Sequence, residues 1–150
     1  MSRFNTRAPQ LVAQRVLIAG DETITAGGAL TAAVPGTAMQ FAIKKDSLVE
    51  IRVEGAVQNA GIGQIHLDLD VNGVLQSGGV DGLTQYINSA AAAGGTSVSM
   101  SLFLDGLAAG THSMALTCRA ITVDGVINAA AASNPLRITV IEHALIYPPS

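Results

Sequence analysis

Gly110-Thr111-His112-Ser113-Met114-Ala115-Leu116-Thr117-Cys118-Arg119-Ala120, followed further on by Leu136-Arg137-Ile138-Thr139-Val140-Ile141-Glu142, is the part of the sequence that decides the fold. In the first run Met114, Leu116 and Cys118 recur at every second residue, with His112 in phase; in the second run Leu136, Ile138 and Val140 do the same. Successive side chains of an extended chain point to opposite faces, so a period of two reads as a strand with one apolar face. Between the runs lie Asp124-Gly125, a tight-turn dipeptide, and a polar and alanine-rich loop through Asn128 and Asn134.

The same period recurs outward along the chain. Val49-Glu50-Ile51-Arg52-Val53-Glu54 alternates apolar residues with charges, and so does Ile65-His66-Leu67-Asp68-Leu69-Asp70-Val71. Asn72-Gly73 then supplies the pair preferred in a type I′ hairpin turn, and Val74-Leu75 starts the return strand. Val98, Met100, Leu102 and Leu104 alternate with Ser97, Ser99, Ser101 and Phe103, and Asp105-Gly106 with Gly110 marks a loop before the Thr111–Ala120 strand. Ala90–Ala93 and Ala129–Ala132 favour helix by composition but are too short to form one unaided, and read as loops. Leu11–Ala19 reads as the first strand, whereas residues 1–10 carry Arg3, Arg7 and Pro9 with no apolar period and read as a flexible arm. The sum is roughly eight to ten short strands in a single domain over residues 11–150, an all-β antiparallel sandwich or barrel.

Composition narrows the class of function. With no Trp, three Phe and two Tyr in 150 residues, the core has to be aliphatic. Charged residues make up 13%, about half the usual share, too few to coat the whole surface; the chain is expected to meet another chain through apolar surface. A net charge of −3 gives no electrostatic case for nucleic acid, and no run reaches the roughly 18 apolar residues of a membrane span. The first ten residues lack the hydrophobic run of a signal peptide. The single cysteine, Cys118, reads as a buried free thiol, in keeping with synthesis in a reducing compartment.

Few residues carry chemistry. His66, Asp68 and Asp70 share one strand face at about 6.5–7 Å intervals and are the one set with metal-ligand character, suited to a hard cation. The reading preferred is a solvated strand face with no metal. His112 lacks a positioned nucleophile and reads as a strand-end residue bonded to a loop backbone. Glu50, Arg52 and Glu54 read as surface charge pairs. Gly27-Gly28, Gly78-Gly79 and Gly94-Gly95 lack the Lys and Ser/Thr of a phosphate loop and read as turns. No cofactor and no enzymatic activity are expected.

The order Gly-Thr-His, strand, Asn-containing loop, Leu-Arg-Ile-Thr-Val-Ile-Glu resembles the last two strands of the C1q/TNF-like jelly rolls found in phage virion proteins. The resemblance covers the chain from Gly110 onward. It implies a jelly-roll sandwich and a homotrimer, one sheet of each subunit packed about a three-fold axis. In the last strand Ile138 and Val140 face one side and Ile141 the other, and a strand apolar on both faces suits a subunit interface, so Ile138, Val140 and Ile141 are the expected trimer contacts. The role expected is a capsid decoration (cement) protein on the virion surface, made in the host cytoplasm. Its partners are then its own copies and the major capsid protein, which Arg3 and Arg7 of the arm would help to meet. The alternatives are the receptor-binding head of a tail fibre, a free C1q-like binding protein and a cupin-type enzyme.

Overall fold

The computed structural model describes residues 9–17, 20–44 and 47–143. Eleven strands make up the described fold: β1 (Gln10–Leu17), β2 (Glu22–Ile24), β3 (Met39–Ile43), β4 (Ser47–Asn59), β5 (Gly63–Val71), β6 (Val74–Leu75), β7 (Thr84–Asn88), β8 (Gly94–Leu107), β9 (Gly110–Ile121), β10 (Gly125–Ile127) and β11 (Leu136–His143). They form two antiparallel sheets, with no helix among the described residues.

Three pairs of strands are continuations along one track. β10 and β11 lie end to end on the same edge of β4, opposite Val57–Asn59 and Leu48–Glu54. β2 and β1 continue each other on the far side of these, and β6 and β7 both line one edge of β5. Eleven strands thus reduce to eight tracks, which run 1-8-3-6 in the first sheet (β1/β2, β10/β11, β4, β8) and 2-7-4-5 in the second (β3, β9, β5, β6/β7). That is the strand order of a jelly roll, in which each sheet draws alternately on the two halves of the chain.

The core lies between the sheets and is aliphatic, as composition requires. Val49, Ile51 and Val53 of β4 and Ile138 and Val140 of β11 meet Ile65, Leu67 and Leu69 of β5 and Met114, Leu116 and Cys118 of β9. Burial pushes the Cys118 thiol up to about 12, so at neutral pH it is a small apolar side chain.

Several turns follow the sequence reading. Asn72 (φ 54°) and Gly73 (φ 83°) both adopt the left-handed region that a type I′ turn needs, and Asp70 Oδ1 accepts the Gly73 N–H at 2.7 Å. The alanine stretches at 90–93 and 129–132 are loops. Elsewhere local signals misled. β8 runs through Asp105-Gly106 to Leu107, and only Ala108 and Ala109 connect it to β9. Gly94-Gly95 opens β8 instead of turning the chain, because a Cβ at Gly95 would stand 2.8 Å from the Val57 carbonyl oxygen on β4. The turn before β10 is made at Thr122 (φ 76°), while Gly125 is already in the strand.

Candidate assembly surface

The outward face of the first sheet mixes exposed apolar side chains with charged ones. One row crosses all four tracks: Leu11 of β1, Ile141 of β11, Glu50 of β4 and Phe103 of β8 are consecutive partners in register. Leu11 is 61% exposed and Phe103 55%, and Ile141 between them is half-buried. Gln14, Thr139, Arg52 and Ser101 form the next row, with Gln14 Nε2 donating to Thr139 Oγ1 at 3.3 Å.

The charges around Glu50 are paired, while Glu54 and Arg137, cross-strand partners further along the same face, stand exposed. Arg52 donates to both carboxylate oxygens of Glu50, Nε at 2.5 Å and Nη2 at 3.2 Å, and His143 Nε2 lies 2.8 Å from Glu50 Oε2. The His143 ring in turn packs against Phe103, with centroids 6.2 Å apart. Glu50 is therefore buried by its neighbours and is not the surface charge the sequence reading took it for. The Arg52 hydrogen bond holds its carboxyl below the usual carboxylate range; burial opposes this, and His143 adds to it. A contact made over this carboxylate finds its hydrogen bonds already made, and the water it must displace is that around the half-exposed Arg52 side chain.

The last strand does not turn all three of the expected contacts, Ile138, Val140 and Ile141, outward. β11 lies between β1 and β4, and Ile138 (1% exposed) and Val140 (0%) are sealed against the second sheet of the same chain. A pattern of two identifies a face that avoids water, but which wall covers it depends on where the strand sits in the sheet. Of the three expected contacts only Ile141 points outward. Arg3 and Arg7 lie outside the described residues.

His66, Asp68 and Asp70 do share one side of β5, the outward face of the second sheet, but only the Asp70 end of it is open to solvent. The segment between β6 and β7 folds over it: Gln76 N–H donates to Leu69 O at 2.9 Å and Leu83 N–H to Leu67 O at 2.8 Å. His66 is 2% exposed and Asp68 0%. Asp68 Oδ1 accepts the Leu69 N–H at 2.7 Å, and the Ser77 hydroxyl and N–H close on the same carboxylate. Gly82 (φ 73°) lets the roof pass so close to β5 that a Cβ there would lie 2.5 Å from Leu67 O. His66 Nε2 stands 2.8 Å from the Gln64 amide oxygen and so carries the proton; Nδ1 is 3.9 Å from Asp81, which also faces Arg119 Nη2 at 3.7 Å. Burial, and then the Arg119 charge, push the His66 pKa down. Each carboxylate of the set is engaged by the chain itself, and among the described residues no group of three His, Cys, Asp or Glu is placed to hold a metal ion.

His112 sits at the start of β9 as expected, its Nε2 2.8 Å from the Ala108 carbonyl and its Nδ1 3.0 Å from the Asn72 amide nitrogen. A shallow depression of about 460 Å³ beside the start of β8, lined by residues such as Ala56, Gly95, Ala129 and Asn134, holds no charged or aromatic side chain. No helix among the described residues is long and apolar enough to cross a membrane.

No sequence-family profile matches the chain, and no curated protein does. Among solved structures it is similar to a family 35 carbohydrate binding module from Clostridium thermocellum, at 12% identity and a TM-score of 0.36, over 88% of this chain and 98% of that one. It is similar also to the VP2 subviral particle of infectious bursal disease virus, at 12% identity and a TM-score of 0.36, over 93% of this chain and 39% of that one. PorU of Porphyromonas gingivalis is matched at 9% identity and a TM-score of 0.36, and there the chain spans 14% of the protein's length. Likenesses this distant carry no argument about role. The strand order carries the fold: this is an antiparallel jelly-roll sandwich.

Proposed function

We propose that the chain is a structural protein of a virion, a C1q/TNF-like jelly-roll subunit that forms a homotrimer and decorates the head by binding the major capsid lattice. The observation that carries the reading is the outward face of the first sheet. It sets Leu11, Ile141 and Phe103 in one row around a carboxylate held by Arg52 and His143. That row loses apolar surface to a neighbour without stranding the Glu50 carboxylate. In the trimer this face packs about the three-fold axis, with Ile141 as the contact on β11 and Ile138 and Val140 behind it as its support. Arg3 and Arg7 meet the capsid. The role is structural and not catalytic.

Co-sedimentation of the purified chain with undecorated heads of the phage that encodes it tests the reading. Saturable binding, weakened when residues 1–10 are removed, supports it. A chain that stays in the supernatant at every ratio overturns it.

A further inference from the structure

We infer that β8 is the seam along which a second copy of this chain attaches, its own β8 lying antiparallel beside the first so that the first sheet runs through both molecules. The inference goes beyond the proposed virion role and does not depend on the three-fold contact.

β8 is the longest strand, with fourteen residues, and among the described residues it pairs with β4 alone. Its register against β4 is unbroken from Leu104 to Gly94. In an antiparallel ladder alternate residues turn their N–H and C=O away from the partner strand, so about half of these groups face the open side. Natural edge strands are blunted by Lys, Pro, bulges or shortness. β8 has no Lys, Arg or Pro, and Asp105 is its single charge. Its one register shift against β4 falls at its end, between Leu104 and Leu107. The other edges are guarded along their length: β1 carries Arg15 and a register shift between Leu11 and Ala13, and β3 and β7 are five residues each. Val98, Met100, Leu102 and Leu104 point inward yet stay half-buried, because no strand continues the sheet beyond them.

The sequence of β8 is complementary to itself. Centred on Met100, two antiparallel copies set Val98 opposite Leu102, Ser99 opposite Ser101, and Asp105 opposite Gly95. Centred on Ser101, they set Met100 opposite Leu102, Val98 opposite Leu104, and Asp105 opposite Ser97. In both registers apolar meets apolar on the inner side, the serine row meets small polar or aromatic residues on the outer side, and the two Asp105 carboxylates fall at opposite ends. Opposed residues stand about 4.5–5.5 Å apart at Cβ, within disulfide reach or nearly so.

A double variant, Ser99→Cys with Ser101→Cys, tests the pairing in either register, since Cys118 is buried and inert. Under mild oxidant it is expected to give disulfide-linked dimers in high yield, whereas Val74→Cys, at an exposed position of the second sheet outside both contacts, is not. A yield no higher than that of Val74→Cys overturns the inference. Sedimentation velocity separates this contact from the three-fold one. In an Ile141→Lys background dimers should persist, and adding Ser99→Lys and Ser101→Lys should raise their dissociation constant at least tenfold. Dimers indifferent to the two lysines, or a trimer that survives them with no dimer beneath it, would assign assembly to another surface and refute the β8 seam.

Discussion

β11 and β8 are written in the same alphabet: both alternate apolar residues with small or polar ones, and both lie in the first sheet. Their fates differ. Ile138 and Val140 of β11 are closed off completely, while Val98, Met100, Leu102 and Leu104 of β8 are left half-covered. The difference is position. β11 has β1 on one side and β4 on the other, whereas β8 has β4 and nothing beyond. Period two tells which side chains avoid water; whether one chain suffices to shelter them is decided by the strand order.

The largest effect should come from putting a carboxylate into each strand. Val140→Asp buries an unpaired charge in a closed core, at a cost of several kcal/mol, enough to prevent folding at ordinary temperature. Leu102→Asp should cost about 1–3 kcal/mol, because its site is part-open, and should leave a folded chain with impaired assembly. Urea titrations read the two costs, and equal costs would erase the distinction between the strands.

The roof over β5 offers a middle-sized test. Asp68→Ala leaves the Ser77 N–H without its acceptor and the hydroxyl with only its longer bond to the Gly79 carbonyl, and should destabilise by about 1–3 kcal/mol in thermal unfolding. Asp70→Ala, which removes one turn hydrogen bond at an exposed site, should cost about 1 kcal/mol or less.

Acidification should lower stability in two windows. His66 is a base with a folded-state pKa below its ordinary value of 6.5, so folding favours its neutral form. Its contribution is complete above that value and declines as the pH falls below it. Glu50 has a folded-state pKa below its ordinary 4.5; its contribution is present above that value and is lost as the pH falls through the folded pKa. His66→Gln should remove the upper window and leave the lower one, as read by melting temperature against pH. The smallest expected effect is none: EDTA should leave the melting temperature unchanged, and a drop restored by Ca²⁺ would make a metal site of the carboxylates that Ser77 and Gly73 now engage.

Much of the fold is legible locally. The alternation in Val49–Glu54 and Ile65–Val71 names the inward residues, and Asn72-Gly73 names its turn, because period and turn chemistry are properties of neighbours in sequence. The length of β8 was hidden by Asp105-Gly106, a turn pair that here extends a strand. The burial of His66 and Asp68 was hidden because their cover comes from Gln76–Leu83, a segment with no apolar period of its own. The closure of Ile138 and Val140 within one chain is hidden in the sequence for the same reason: alternation specifies a face, and the strands packed around β11 come from distant parts of the chain.

The central claim is that β8 is an edge in one chain and an interior strand in the assembly. Amide hydrogen exchange over Gly94–Leu107, followed across a dilution series, tests it most directly. Slow exchange at every position of β8 when the protein is concentrated, giving way on dilution to fast exchange at alternate residues, is the predicted result. Fast exchange at alternate residues at all concentrations, with the assembly intact, would contradict it.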